Sequence, residues 1–138
     1  MMRSSVFAFM TLLGGFALVA CSVPSMPEPR EGAALFSENC AVCHGADGTG
    51  QGALAWALET PPADLTLIRD RRDGHFSRTE VLSVIDGYQR LEVAGQEMPE
   101  FGLLLEGPSV PVDLGDGTFS PVPRPLAAIL AYLEDLQV

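Results

Sequence analysis

The pattern of apolar and polar positions divides the chain into three stretches. From Val6 to Ala20 it is apolar, broken only by Thr11 and glycines, with Arg3 just before. A positive start followed by such a run has the form of an export signal, predicted over residues 1–20. Ser22 to Arg30 carries three prolines and little to bury, which predicts an extended, semi-rigid tether. From Glu31 to Val138 the pattern is that of a folded domain. Glu31–Cys40 has helical composition, and Gly32 and Phe36, four apart, share a face. A glycine inside a helix is unfavourable by about 1 kcal/mol, so another backbone is expected to pack against Gly32. The partner expected there is the last segment, Pro125–Val138. Pro125 suits a first helical position, and Leu126, Ile129, Leu130, Leu133 and Leu136 form an apolar stripe beside Tyr132.

Between these two helices the pattern is weaker. Ala53–Leu58 predicts a short helix with Trp56 beneath it. Ser77-Arg78-Thr79-Glu80 has the spacing of a capping box, followed by an apolar face of Val81, Leu82, Val84 and Ile85. Gly87 is placed to close that helix. Gln96–Gly102 reads as a loop, with Pro99 and Gly102 as breakers. Residues 109–120, with the glycine-rich turn Gly115-Asp116-Gly117, predict a small β-hairpin whose prolines confine it to an edge. The predicted class is therefore all-α with a hairpin insertion.

Composition narrows the function. The chain has 138 residues, a formal net charge of −10 and no lysine. Such a surface argues against nucleic acid as a partner, because phosphate backbones are bound through basic contacts. There are three cysteines, and none is left over for a disulfide framework once each is assigned below.

Leu18-Val19-Ala20-Cys21 resembles the lipobox of bacterial lipoproteins. That resemblance implies cleavage before Cys21, a diacylglycerol on its sulfur and an acylated new amino terminus. Residues 21–30 then tether residues 31–138 to a membrane of the bacterial cell envelope, facing the periplasm. Several acyl chains anchor stably where one binds only marginally.

Cys40-Ala41-Val42-Cys43-His44 is the attachment signal of a c-type haem, with both thiols on one side of a helical turn for thioether bonds and the histidine following as proximal iron ligand. The rival chemistries are a zinc site and a dithiol redox pair. Structural zinc wants four nitrogen or sulfur ligands, and His44 adjoins Cys43 at the wrong spacing. A dithiol enzyme wants a βαβ surround, and no alternating strands are present. Downstream stand one histidine, His75, and one methionine, Met98. Met98 is the expected distal ligand, since His/Met pairing raises the potential and suits electron transfer. His75 reads as a solvated loop residue.

In their order, Gly32/Phe36, Cys40–His44, the glycine-rich Gly45–Gly52, Pro61-Pro62-Ala63-Asp64-Leu65-Thr66, Met98-Pro99 and the final Tyr132-Leu133 helix resemble a class I cytochrome c. The resemblance implies helices wrapped on one covalently bound haem c, with electron transfer as the work. It also implies that the prolines cover the proximal side, where a backbone carbonyl near Pro62 accepts from the His44 ring. Trp56 reads first as core and second as a donor to a haem propionate. Tyr88 and Arg90 are further haem contacts to consider, and Arg69, Arg71 and Arg72 read as a solvated loop. Six-coordinate iron leaves no open position for a substrate, so no enzymatic activity is expected. Redox partners with a basic or apolar surface fit a chain without lysines. The competing functions are a haem-based sensor that binds a small ligand in place of Met98, and an electron-transfer subunit of a larger dehydrogenase or oxidase.

Overall fold

Two helices cross at a glycine and carry the rest of the fold. The computed structural model describes residues 25–88 and 98–138. Helix α1 (Pro29–Asn39) starts with proline in its first turn and buries Gly32 and Phe36. Both face α5 (Arg124–Asp135), the element against which α1 packs most extensively. A Cβ at Gly32 would collide with the Ala128 carbonyl oxygen and stand 2.7 Å from the Tyr132 Cβ. The missing side chain is what lets the two backbones meet. One turn on, the rings of Phe36 and Tyr132 lie 5.1 Å apart between centroids, tilted by 53°, a favoured aromatic geometry. Arg124 closes the far end of the crossing through a two-pronged ion pair with Glu31, at 2.9 and 2.8 Å.

Helix α5 is buried well beyond the predicted stripe, with Ala127, Ala128 and Ala131 buried as well as the leucines and Ile129. The reason is its position: α1, α3 and the ribbon all pack on it. Helix α3 (Arg78–Asp86) begins and ends as its residues predict. The Ser77 side chain accepts from the Glu80 N–H, and Gly87 terminates it with a left-handed φ of 94°. Its buried Val81 and Ile85 join the common core.

The remaining elements are short. Helix α2 (Ala41–His44) is one turn that follows α1 directly, Cys40 serving as the end of one and the start of the other. Three 3-10 turns follow, at Ala55–Ala57, Leu65–Leu67 and Asp70–Arg72. The predicted helix at Ala53–Leu58 is therefore a single 3-10 turn, and Trp56 within it is 84% exposed rather than core. Helix α4 (Phe101–Leu104) turns part of the expected loop helical so that Phe101 is buried.

Strands β1 (Ser109–Asp113) and β2 (Phe119–Pro123) form the hairpin as an antiparallel pair. Pro111 faces Pro121 and Ser109 faces Pro123, so the residues without an N–H share the positions that make no ladder bonds. Val110, Val112 and Val122 are buried and anchor the ribbon on α5. A two-stranded ribbon is marginal alone; here Arg78 ties it down. Its guanidinium donates to the Asp113 carbonyl at 2.8 Å and pairs with Glu134 of α5. Among the described residues the chain is thus substantially helical with one small sheet. Cys21, the predicted signal peptide, the start of the tether and Arg90 lie outside the described residues. Among the described residues no helix is long and apolar enough to cross a membrane.

Candidate functional site

The α1–α2 junction presents Cys40, Cys43 and His44 to one space. Cys40 and Cys43 are three residues apart on continuous helical turn, the His44 N–H donating to the Cys40 carbonyl at 2.9 Å. That places both thiols and the following imidazole on the wall of one cavity of about 420 Å³. The size falls within the roughly 300–1,000 Å³ of sites that hold small molecules and cofactors.

The proximal wall is a folded-back loop. Gly45, Gly48 and Gly50 all have positive φ, and their freedom matters most at Gly50. A side chain there would strike the Pro62 carbonyl, while the Gly50 N–H donates to the His44 carbonyl at 2.7 Å. The loop therefore brings the Pro61-Pro62-Ala63 segment against the histidine. Pro62 lines the cavity, but its carbonyl faces Gly50. It is the carbonyl of Ala63, next to Pro62, that lies 3.1 Å from His44 Nδ1.

This geometry settles the tautomer that the site favours. Burial pushes the His44 pKa below its ordinary 6.5, with the Ala63 bond acting weakly the other way. A neutral ring that donates from Nδ1 keeps the Nε2 lone pair free for a metal. The same cavity is lined by Met98, half-buried and packed against the core, with Pro99 and Phe101. Val81, Val84 and Ile85 from α3 and Ile129 and Leu133 from α5 fill the sides.

The electrostatics suit thioethers better than thiolates. Burial, with a smaller contribution from Cys43, pushes the Cys40 thiol up to about 11. Reactive dithiols have the reverse, a lowered pKa in electropositive surroundings. Among the described residues no group of three His, Cys, Asp or Glu side chains converges to hold an ion, as zinc would require. An apolar cavity with two cysteines on one helical turn, an imidazole and a soft thioether fits a covalently held haem.

The structure thus unites Cys40, Cys43, His44, Pro62 and Met98 around one cavity. Trp56 and Tyr88 do not line it and stand 84% and 87% exposed. His75 is exposed and also away from it. Sequence reasoning missed Arg71, Arg72 and Glu80, which all line the cavity. Arg72 pairs with Glu80 at 2.6 Å and Arg71 donates to the Asp64 carbonyl at 2.8 Å. Their alternation with Asp70 and Asp73 looked like a solvated loop. The one available signal was that no other cations cluster anywhere in the chain.

A family model described as cytochrome c matches residues 29–104. No curated protein and no solved structure matches the chain.

Proposed function

Since the chain belongs to the cytochrome c family, which carries a covalent haem c and works in electron transfer, we propose that it is a monohaem one-electron carrier anchored at a membrane and facing the periplasm. The observation that carries this reading is the single cavity shared by Cys40, Cys43, His44 and Met98. When bound, haem c supplies an iron that alternates between ferrous and ferric states and so stores one electron.

The chain's own residues do the rest. Cys40 and Cys43 hold the group by thioethers, so it stays with the protein in both oxidation states. His44 offers Nε2 to the iron, its ring fixed by the Ala63 carbonyl, a bond that raises its basicity and tunes the potential. Met98 would hold the iron as a second donor, a soft ligand that would raise the potential relative to a second histidine. The apolar side walls exclude water and keep the cost of reorganisation low. With His44 and Met98 both on the iron no position would be left for a substrate, which supports a carrier rather than an enzyme.

Anchoring and location rest on the lipobox-like Leu18-Val19-Ala20-Cys21. Lipid on Cys21 would leave a tether shorter than the Ser22–Arg30 expected, because Met26 packs against the core and Pro29 already opens α1. Partners are redox proteins whose contact surface is basic or apolar.

The test is a pyridine haemochrome spectrum after expression with the haem-attachment machinery, combined with the mass of the mature amino terminus. A c-type band, a mass increase of one haem and an acylated Cys21 are expected. Absence of the band contradicts the cofactor assignment, and an unmodified terminus near Ser22 contradicts the anchor. Prompt binding of carbon monoxide by the ferrous form at neutral pH would turn the reading into that of a ligand sensor.

A further inference from the structure

We infer that Val42, Leu54 and Trp56 form the docking face for a redox protein whose matching surface is an apolar spot rimmed by lysine and arginine. The inference rests on the electron-carrier reading above.

Val42 and Leu54 are each 47% exposed and Trp56 84%. Backbone bonds draw them together. The Leu54 N–H donates to the Val42 carbonyl at 2.9 Å, and the Gly52 N–H to the Cys43 carbonyl at 3.0 Å. A Cβ at Gly52 would meet the backbone of Val42 and Cys43, so only glycine lets this loop lie flat on the attachment turn. The Ala55–Ala57 turn bearing Trp56 packs against α2 in turn. The exposed side chains are therefore gathered beside the one turn that joins both attachment cysteines.

Single exposed apolar residues are ordinary, but three held on neighbouring backbone beside a functional site suit an interaction surface. Tryptophan is the residue type most often found to dominate such a surface. Trp56 is the chain's only tryptophan, and folding leaves it almost wholly in water.

Charge identifies the partner. Between Arg30 and Arg69 the chain has no arginine or lysine, against the carboxylates Glu31, Glu38, Asp47, Glu59 and Asp64. Glu38, Asp47 and Glu59 are exposed. Among the described residues Arg72, Arg78 and Arg124 are held in ion pairs with Glu80, Glu134 and Glu31. The apolar spot thus sits in an anionic segment, and its complement is apolar at the centre and cationic at the rim. An anionic bilayer would be repelled by the same carboxylates. In the transfer one electron leaves the reduced iron and reduces a one-electron acceptor in the partner, with no bond made or broken.

The test is stopped-flow oxidation of the reduced holoprotein by three probes: a lysine-rich basic cytochrome c, an acidic blue-copper protein and a small cobalt complex that needs no docking face. Trp56→Ala is expected to slow oxidation by the basic probe at least fivefold, with the reduction potential kept. Glu38→Gln with Glu59→Gln should flatten the fall of that rate with ionic strength. An unchanged rate in both Trp56→Ala and Leu54→Ser overturns the inference, as does faster reaction with the acidic probe. A blue shift of Trp56 fluorescence on adding phosphatidylcholine vesicles would also overturn it, assigning the face to lipid. Failure of the wild type to react with the cobalt complex would instead defeat the carrier reading itself.

Discussion

Nδ1 of His44 lies 3.1 Å from the carbonyl oxygen of Ala63, a residue nineteen positions further along the chain. The bond exists because Gly50 lets the Pro62 backbone come close enough to bring Ala63 under the ring. A ligand histidine that donates its other N–H is more basic and favours the higher oxidation state. Gly50→Ala should therefore loosen the bond and raise the reduction potential by about 40 mV, the one-electron equivalent of about 1 kcal/mol. Film voltammetry of both proteins checks the sign; a potential that falls or stays put would dissociate the Ala63 bond from tuning.

Protonation of His44 provides a pH test. Burial holds its pKa below 6.5, so the folded chain refuses a proton that the unfolded chain accepts. Stability contributed by this group is thus complete above 6.5 and is lost progressively as the pH falls below it. Chemical denaturation of the haem-free chain should show stability constant as the pH falls from about 8 to 6.5 and lost only on the acid side. A transition centred at or above 6.5 would show that the ring is not shielded.

The α1–α5 crossing predicts a contrast between two glycines. Gly32→Ala drives a methyl into the Ala128 carbonyl, and overpacking against backbone should destabilise by about 3 kcal/mol. Gly74 also has a positive φ, of 84°, but nothing lies within 4 Å of an added Cβ. Gly74→Ala should cost about 1 kcal/mol, from left-handed strain alone. Chemical denaturation of the holoproteins measures both, and equal losses would mean the crossing is not close-packed.

Arg78 joins three elements, donating to the Asp113 carbonyl and pairing with Glu134. Its side chain is only partly exposed, so Arg78→Ala should destabilise by about 1–2 kcal/mol. The loss should be local. Amide exchange in β1 and β2 should quicken more than in α1, and uniform quickening would make Arg78 a global rather than a ribbon contact.

What could be read in the sequence was what short-range chemistry determines. Cys40, Cys43 and His44 share a turn whatever surrounds them, the Ser77 cap and Gly87 stop are local, and Gly32 with Phe36 announces a close neighbour. Met98 stood out because it is the one methionine downstream of the motif. Trp56 was misread because burial is a tertiary property: its turn is held outward by bonds to the α2 backbone. Arg71 and Arg72 were missed for a related reason. Their partners, the Asp64 carbonyl and Glu80, lie on different elements, and only folding turns that charged loop toward the cavity.

The central claim is that His44 and Met98 are the two axial donors of a one-electron centre. An optical redox titration of wild type and Met98→Ala tests it most directly, giving coordination and potential together. The expected result is a one-electron transition, with the weak far-red absorption of an iron–methionine bond in the oxidised wild type. That absorption should vanish and the potential fall in Met98→Ala. A far-red band that persists unchanged in the variant, or its absence from the wild type, would contradict the account.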